Sequence, residues 1–139
     1  MTDKKQDRKL AGQVDDIPLL LVAMEELMSS TLIPKLTDFE KYHAHVARNS
    51  LGILARQAEA RDVFEDLDAR NLEALGLDAS LGYQQLATKI KSGEIEMTGA
   101  LLNYLKQRTL LQLSIDNPKY WGYAQAREQW SDLDYGEIT

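Results

Sequence analysis

The sequence predicts an all-α protein: a single-domain bundle of about five helices with a short aromatic-rich C-terminal segment. Three observations lead there. Apolar residues recur at helical spacing through every long segment, no stretch alternates with the period of a strand, and helix starts and stops fall at regular intervals. There is no internal repeat and no low-complexity segment. The predicted layout is a mobile N-terminal tail over 1–14, a helical bundle over 15–120 and an aromatic-rich segment over 121–139.

Asp16 is a natural N-cap, and Pro18 falls in the first turn, where a missing N–H costs nothing. Leu20, Met24, Leu27 and Met28 form one face of this helix; Glu25, Glu26, Ser29 and Ser30 form the other. Pro34 removes a helical hydrogen bond and must kink or stop the helix just before it. Thr37-Asp38-Phe39-Glu40 reads as a capping box that starts a second helix running to about residue 60. Phe39, Tyr42, Val46, Ser50, Ile53 and Gln57 lie near one line on it. A third stretch carries Phe64, Leu67, Leu72 and Leu75 and stops at Gly76. No Gly or Pro separates it from the second, so their continuity stays open.

Ser80 is positioned to cap a short helix with Tyr83, Leu86 and Ile90 inward, ending at Gly93. Thr98 caps a long helix to about Ile115. Its apolar side holds Leu101, Leu102, Leu105, Leu111 and Ile115, and its polar strip Asn103, Lys106, Gln107 and Ser114. Asp116-Asn117-Pro118 closes it, because the residue before proline is pushed out of helical space. Residues 122–130 suit one more short helix. Tyr120, Trp121, Tyr123, Trp130 and Tyr135 make up half of the chain's ten aromatics. They either pack back on the bundle or, with Tyr120, Trp121, Tyr123 and Trp130 as anchors, face a partner or a second copy.

Composition bounds the chemistry. At 139 residues the chain has the length of one ordinary domain. It has no cysteine, which excludes disulfides, zinc thiolates and thiol catalysis, and fits a reducing compartment. A net charge of −6 argues against a nucleic-acid groove. The apolar run Ile17 to Met24 is far short of the ~20 residues a membrane span needs. Acidic pairs flank it and no small-residue cleavage site follows, so the expectation is a cytoplasmic protein with no membrane association.

Glu40-Lys41-Tyr42-His43 matches the Glu-x-x-His pattern of di-iron bundles, but such a site needs two copies of it. The chain has only two histidines, His43 and His45, which diverge by about 200° on a helix. No metal is expected. No phosphate-cradling glycine loop and no nucleophile-elbow turn occurs, so neither a cofactor nor a catalytic residue is assigned.

One constellation stands out on the second helix. The apolar stripe centred on Val46 is edged by His43 on one side and by Asn49, Arg56 and His45 on the other, with Gly52 beside them. Asn49 projects toward the core edge, where a buried amide needs a partner. Two readings stand. One is a structural polar network in which Asn49 ties helices together through Asp116, Asn117 or a helix end. The other is a shallow binding site floored by His43, Asn49 and Arg56, with Arg56 pairing a carboxylate or phosphate.

The run Tyr42-His43-Ala44-His45-Val46-Ala47-Arg48-Asn49-Ser50-Leu51 resembles the aromatic-His-x-x-Val-Ala-x-Asn-x-Leu segment of a bacterial family, number 6285 among domains of unknown function. Leu32-Ile33-Pro34-Lys35-Leu36 resembles its Val-Leu-Pro-x-Leu segment. Ile90-Lys91-Ser92-Gly93 falls where that family has Ile-Arg-x-Gly. Leu101-Leu102-x-x-Leu105 and Leu113 to Tyr120 resemble its closing segment. The resemblance covers about residues 17–120. Ser29-Ser30-Thr31 replaces the usual acidic pair, and His45 stands where arginine is common.

The resemblance implies a small helical protein without assigned activity. It also implies gene neighbours of two kinds, aminoglycoside-phosphotransferase-like kinases and acyl-CoA dehydrogenases. The expectation is therefore a non-catalytic interaction or accessory protein with a protein partner, such a kinase or dehydrogenase among them. The alternatives are a binder or weak enzyme of acyl-CoA or phosphorylated-acid metabolism using His43, Asn49 and Arg56, and a purely structural homodimer.

Overall fold

A computed structural model describes residues 16–136, and no strand occurs among them. The N-terminal tail expected over 1–14 lies outside the described residues. The chain forms two compact units, Met1–Ala58 and Glu59–Thr139.

The first unit holds α1 (Ile17–Leu27), a widened π turn (Met28–Leu32), a 3₁₀ turn (Ile33–Lys35) and α2 (Asp38–Glu59). Asp16 caps α1 by accepting from the Leu19 N–H at 3.1 Å. Pro34 has no N–H to give the carbonyl four residues back. The chain responds by widening, with the Ile33 N–H reaching the Met28 carbonyl, while the Ser30 hydroxyl donates back to the Glu26 carbonyl at 2.7 Å. Such back-bonding by serine bends helices. The helix therefore distorts at Pro34, as its sequence requires. Helical backbone nevertheless continues from Ile17 to Lys35, 19 residues that include an 18-residue window of mean hydropathy 1.4. By length and composition that segment is sufficient to cross a membrane, whereas the uninterrupted apolar run alone is not. A signal sequence or a core helix meets the same test.

Asp38 starts α2 at φ +44°, a left-handed conformation that aspartate tolerates better than most residues. The helix breaks at Ala60, which has ψ near zero and is fully buried. The second and third helices are thus separate, without a Gly or Pro between them.

The second unit holds α3 (Arg61–Ala74), α4 (Tyr83–Lys91), α5 (Gly99–Asp116) and α6 (Trp121–Gln129). Gly76 and Gly93 terminate α3 and α4 with positive φ, as expected of C-terminal stops. Ser80 does not cap α4. Its N–H and hydroxyl both donate to the Asp78 carboxylate, at 2.8 and 2.7 Å, and hold that carboxyl below its ordinary pKa. Gly82 takes the cap position instead, and its N–H donates to Gln85 Oε1. Thr98 caps α5 as expected, through the Leu101 N–H.

Two core clusters occupy this unit. One gathers Leu72, Leu86, Leu101 and Tyr104; the other Leu67, Leu110, Leu111, Tyr123 and Tyr135. Helix α5 contributes to both, so it is buried on more than one side. That is why a single apolar face misassigns it: Leu102 is exposed, while Tyr104 and Leu110 are buried.

At the centre Asp68 of α3 binds two residues of α5. Arg108 Nε and Nη2 donate to its two oxygens at 2.9 and 3.3 Å, and the Tyr104 hydroxyl donates at 2.7 Å. The Arg108 guanidinium also lies 4.0 Å from the Tyr83 ring centre and 5.0 Å from that of Phe64. Tyr83 is accordingly not inward but exposed, with the guanidinium against its ring.

Burial first, and the bond to Asp68 second, push the Tyr104 hydroxyl well above its ordinary pKa of 10.0. The folded state thus holds this proton more tightly than the unfolded state does. Its stabilisation is complete below about pH 10 and is lost as pH rises further. Denaturant unfolding on either side of pH 10 is expected to show that loss, and Tyr104→Phe to remove this part of the slope. Asp68→Ala strands a half-buried guanidinium and is expected to cost about 2 kcal/mol in urea unfolding; a change below a few tenths contradicts the role given to Asp68.

Candidate functional site

Helix α2 presents two faces with opposite character. Gly52 and Ala55 are its buried residues, while Phe39 is 74% exposed, Tyr42 66% and Val46 47%. The stripe read as core-facing therefore points outward. The reason lies in what packs against the other side. A Cβ built on Gly52 would meet Glu25 carboxylate oxygens of α1 at 3.5 Å and Arg56 Nη1 at 3.4 Å. A small-residue surface thus receives the polar side chain of α1, and the bulky line is turned away.

This geometry relocates each residue singled out above. His43 is exposed, and its ring sits edge-on to Phe39 at 4.2 Å and to Tyr42 at 5.5 Å. The three rings form one aromatic patch on the first turns of α2. Asn49 is exposed rather than at a core edge, and its Oδ1 accepts from Arg48 Nη2 of the same helix at 3.0 Å. Asp116 and Asn117 belong to the second unit, where Asp116 accepts from Gln112 and the Asn117 N–H closes α5 on the Leu113 carbonyl. Arg56 lies over Gly52, with the Glu25 carboxylate beside it. The space next to Gly52 thus already contains a carboxylate of this chain. Arg48 Nε is buried without a hydrogen-bond partner. No cluster of three or more potential metal ligands occurs among the described residues.

The aromatic segment divides. Tyr123 is 4% exposed, and its hydroxyl meets that of Tyr135 at 2.8 Å inside the second unit. It packs on its own bundle and is not available as an anchor for a partner. Trp130 is half-buried against the same cluster, with Lys106 Nζ 5.2 Å from its ring centre. Gln107 and Arg70 both donate to the Asp134 carbonyl and fasten this segment to α5 and α3. Only the first pair, Tyr120 and Trp121, stays exposed.

The family model for a domain of unknown function, DUF6285, matches residues 34–120, more than half of the chain. The chain belongs to the DUF6285 family. No curated protein and no solved structure matches it.

The DUF6285 region takes in the outward line of α2 and the Asp68–Tyr104–Arg108 cluster. The cluster is absent from the residues singled out by sequence. Tyr104 and Arg108 are four apart on α5 and so share a side, which is a local signal. Nothing local points from them to Asp68, 36 and 40 residues away. A shallow cleft of about 260 Å³ lies on the same unit, lined by Val63, Asp66, Arg70, Asp134 and Gly136 among others.

Because the groups nearest a Cβ at Gly52 are the ends of flexible side chains, Gly52→Ala is expected to be accepted. It should stabilise by about 0.5–1 kcal/mol through helix propensity. A loss of that size in thermal or urea unfolding would mean that close approach at Gly52 is essential.

Proposed function

We propose that this DUF6285 protein is a non-catalytic helical interaction protein. The single observation that carries this reading is the exposed apolar surface of the first unit. Phe39, Tyr42, Val46 and Leu54 of α2 and Leu19, Leu20, Val22, Met24 and Leu27 of α1 are all open to solvent. Only Gly52, Ala55 and Ile33 are buried there among the described residues. Single exposed apolar residues are ordinary, but this many in one unit that buries so few residues supports an interaction surface. The resemblance implies neighbours of two kinds, a phosphotransferase-like kinase and an acyl-CoA dehydrogenase, and these are the partners we propose for an accessory role.

The carboxylate of Glu25 beside Arg56 weighs against the rival reading, in which Arg56 receives a phosphate or carboxylate ligand. A thermal-shift series with CoA esters and phosphorylated acids is expected to leave the unfolding temperature unchanged. A bound ligand at ~100 Kd would add about 2.7 kcal/mol, and such a shift would favour the binder reading. The interaction reading is tested by capture on the immobilised chain, with self, a purified kinase-like protein and a purified dehydrogenase offered in turn. Retention of one of them, abolished by Tyr42→Asp, is expected. Retention of none contradicts the proposal.

A further inference from the structure

Resting on that interaction reading, we propose that the seam of α2 made by the exposed Phe39, Tyr42, Val46 and Asn49 and the half-buried Ile53 docks a second copy of this chain. The five positions step by three, four, three and four residues along the helix. That is the spacing at which two α-helices interlock side chains along a continuous contact line. Helix α2 runs unbroken from Asp38 to Glu59, long enough to carry the whole seam.

Three observations single out a second copy as the occupant. The first is Asn49, the one non-aromatic polar side chain of the seam. Its Oδ1 accepts from Arg48 Nη2 at 3.0 Å, and the exposed amide also carries two N–H donors and a second acceptor lone pair. An amide both donates and accepts, so two copies of Asn49 complement each other across a two-fold axis. A wholly apolar partner would strand it. A lone asparagine in an apolar seam also fixes register and copy number between like helices.

The second is area. Phe39 and Tyr42 together expose on the order of 300 Å². With Val46, Asn49 and the edges at His43 and Leu54, the seam presents on the order of 700 Å², close to the ~800 Å² per partner of a stable interface. The third is charge. The chain carries −6, yet none of the five seam positions is charged, so two copies meet there without setting like charges against each other.

Pairing of this kind is isologous, the commonest symmetry of soluble oligomers. It also gives the aromatic patch of Phe39, Tyr42 and His43 a packed environment, which the single chain does not.

The test is sedimentation velocity of the full chain from low to high micromolar concentration. The native protein is expected to sediment as a dimer at the upper end. Val46→Asp is expected to give a monomer at every concentration, with the helical circular dichroism spectrum of the dilute native chain, since Val46 is exposed and contributes little to the fold of one chain. Asn49→Asp keeps the contact with Arg48 but sets two carboxylates against each other, and is expected to weaken dimerisation about tenfold or more. A native chain that stays monomeric throughout overturns the proposal, as does a dimer that neither substitution weakens. A monomer that still captures the kinase-like protein or the dehydrogenase overturns self-docking and leaves the interaction reading standing. A monomer that instead floats with phosphatidylcholine vesicles assigns the surface to lipid and overturns both.

Discussion

The packed side of α2 is built from Gly52 and Ala55, and those two residues offer a neighbouring helix almost no apolar area. What α1 places over them is the Glu25 side chain, next to Arg56. Most bulky apolar groups of the pair are exposed, with Leu21, Leu51 and Ile53 only half-buried. Ordinary surface helices do the reverse, turning their apolar stripe to the core and their charges to water. Helix formation needs tertiary burial to be stable at these lengths, and among the described residues of the first unit little is buried. Its exposed surface, the aromatic patch around His43 and the position of Asn49 all follow from this inversion.

The second unit satisfies the same requirement internally. Helix α5 lies against two clusters at once, and each end of the unit is tied to it. Thr98 caps its start, Asp68 receives Tyr104 and Arg108 at its middle, and Gln107 holds the segment carrying Tyr135. The ion pair is half-buried and hydrogen-bonded on both oxygens, the arrangement in which a salt bridge contributes most to specific packing. The contrast between the units is one of packing density rather than of helix content. It leaves the exposed apolar surface on the unit that, among the described residues, contributes to neither core cluster.

Much of the architecture was legible in the sequence because local chemistry decides it. Asp16, Pro18, Pro34, Gly76, Gly93, Thr98 and Asn117-Pro118 act on their own neighbouring backbone, and the structure places helix ends at or beside each of them. The candidate site was legible only as a pattern. Spacing put Phe39, Tyr42, Val46 and Asn49 on one side of α2 but carried no information on which side faces in. The apolar character of that stripe favoured the core, and the smaller Gly52 and Ala55 face took that place. Helix α5 escaped for the opposite reason: burial on more than one side leaves no clear apolar stripe. The Asp68 cluster depends on contacts across 36 to 40 residues, which no local rule reports.

Amide hydrogen exchange followed as a function of protein concentration tests most directly whether the first unit depends on a second chain. The account requires protection in α1 and α2 to rise as the chain is concentrated, while α5 stays equally protected throughout. Protection of α1 and α2 that is high and independent of concentration would contradict it, because the apolar seam would then need no second copy to hold it.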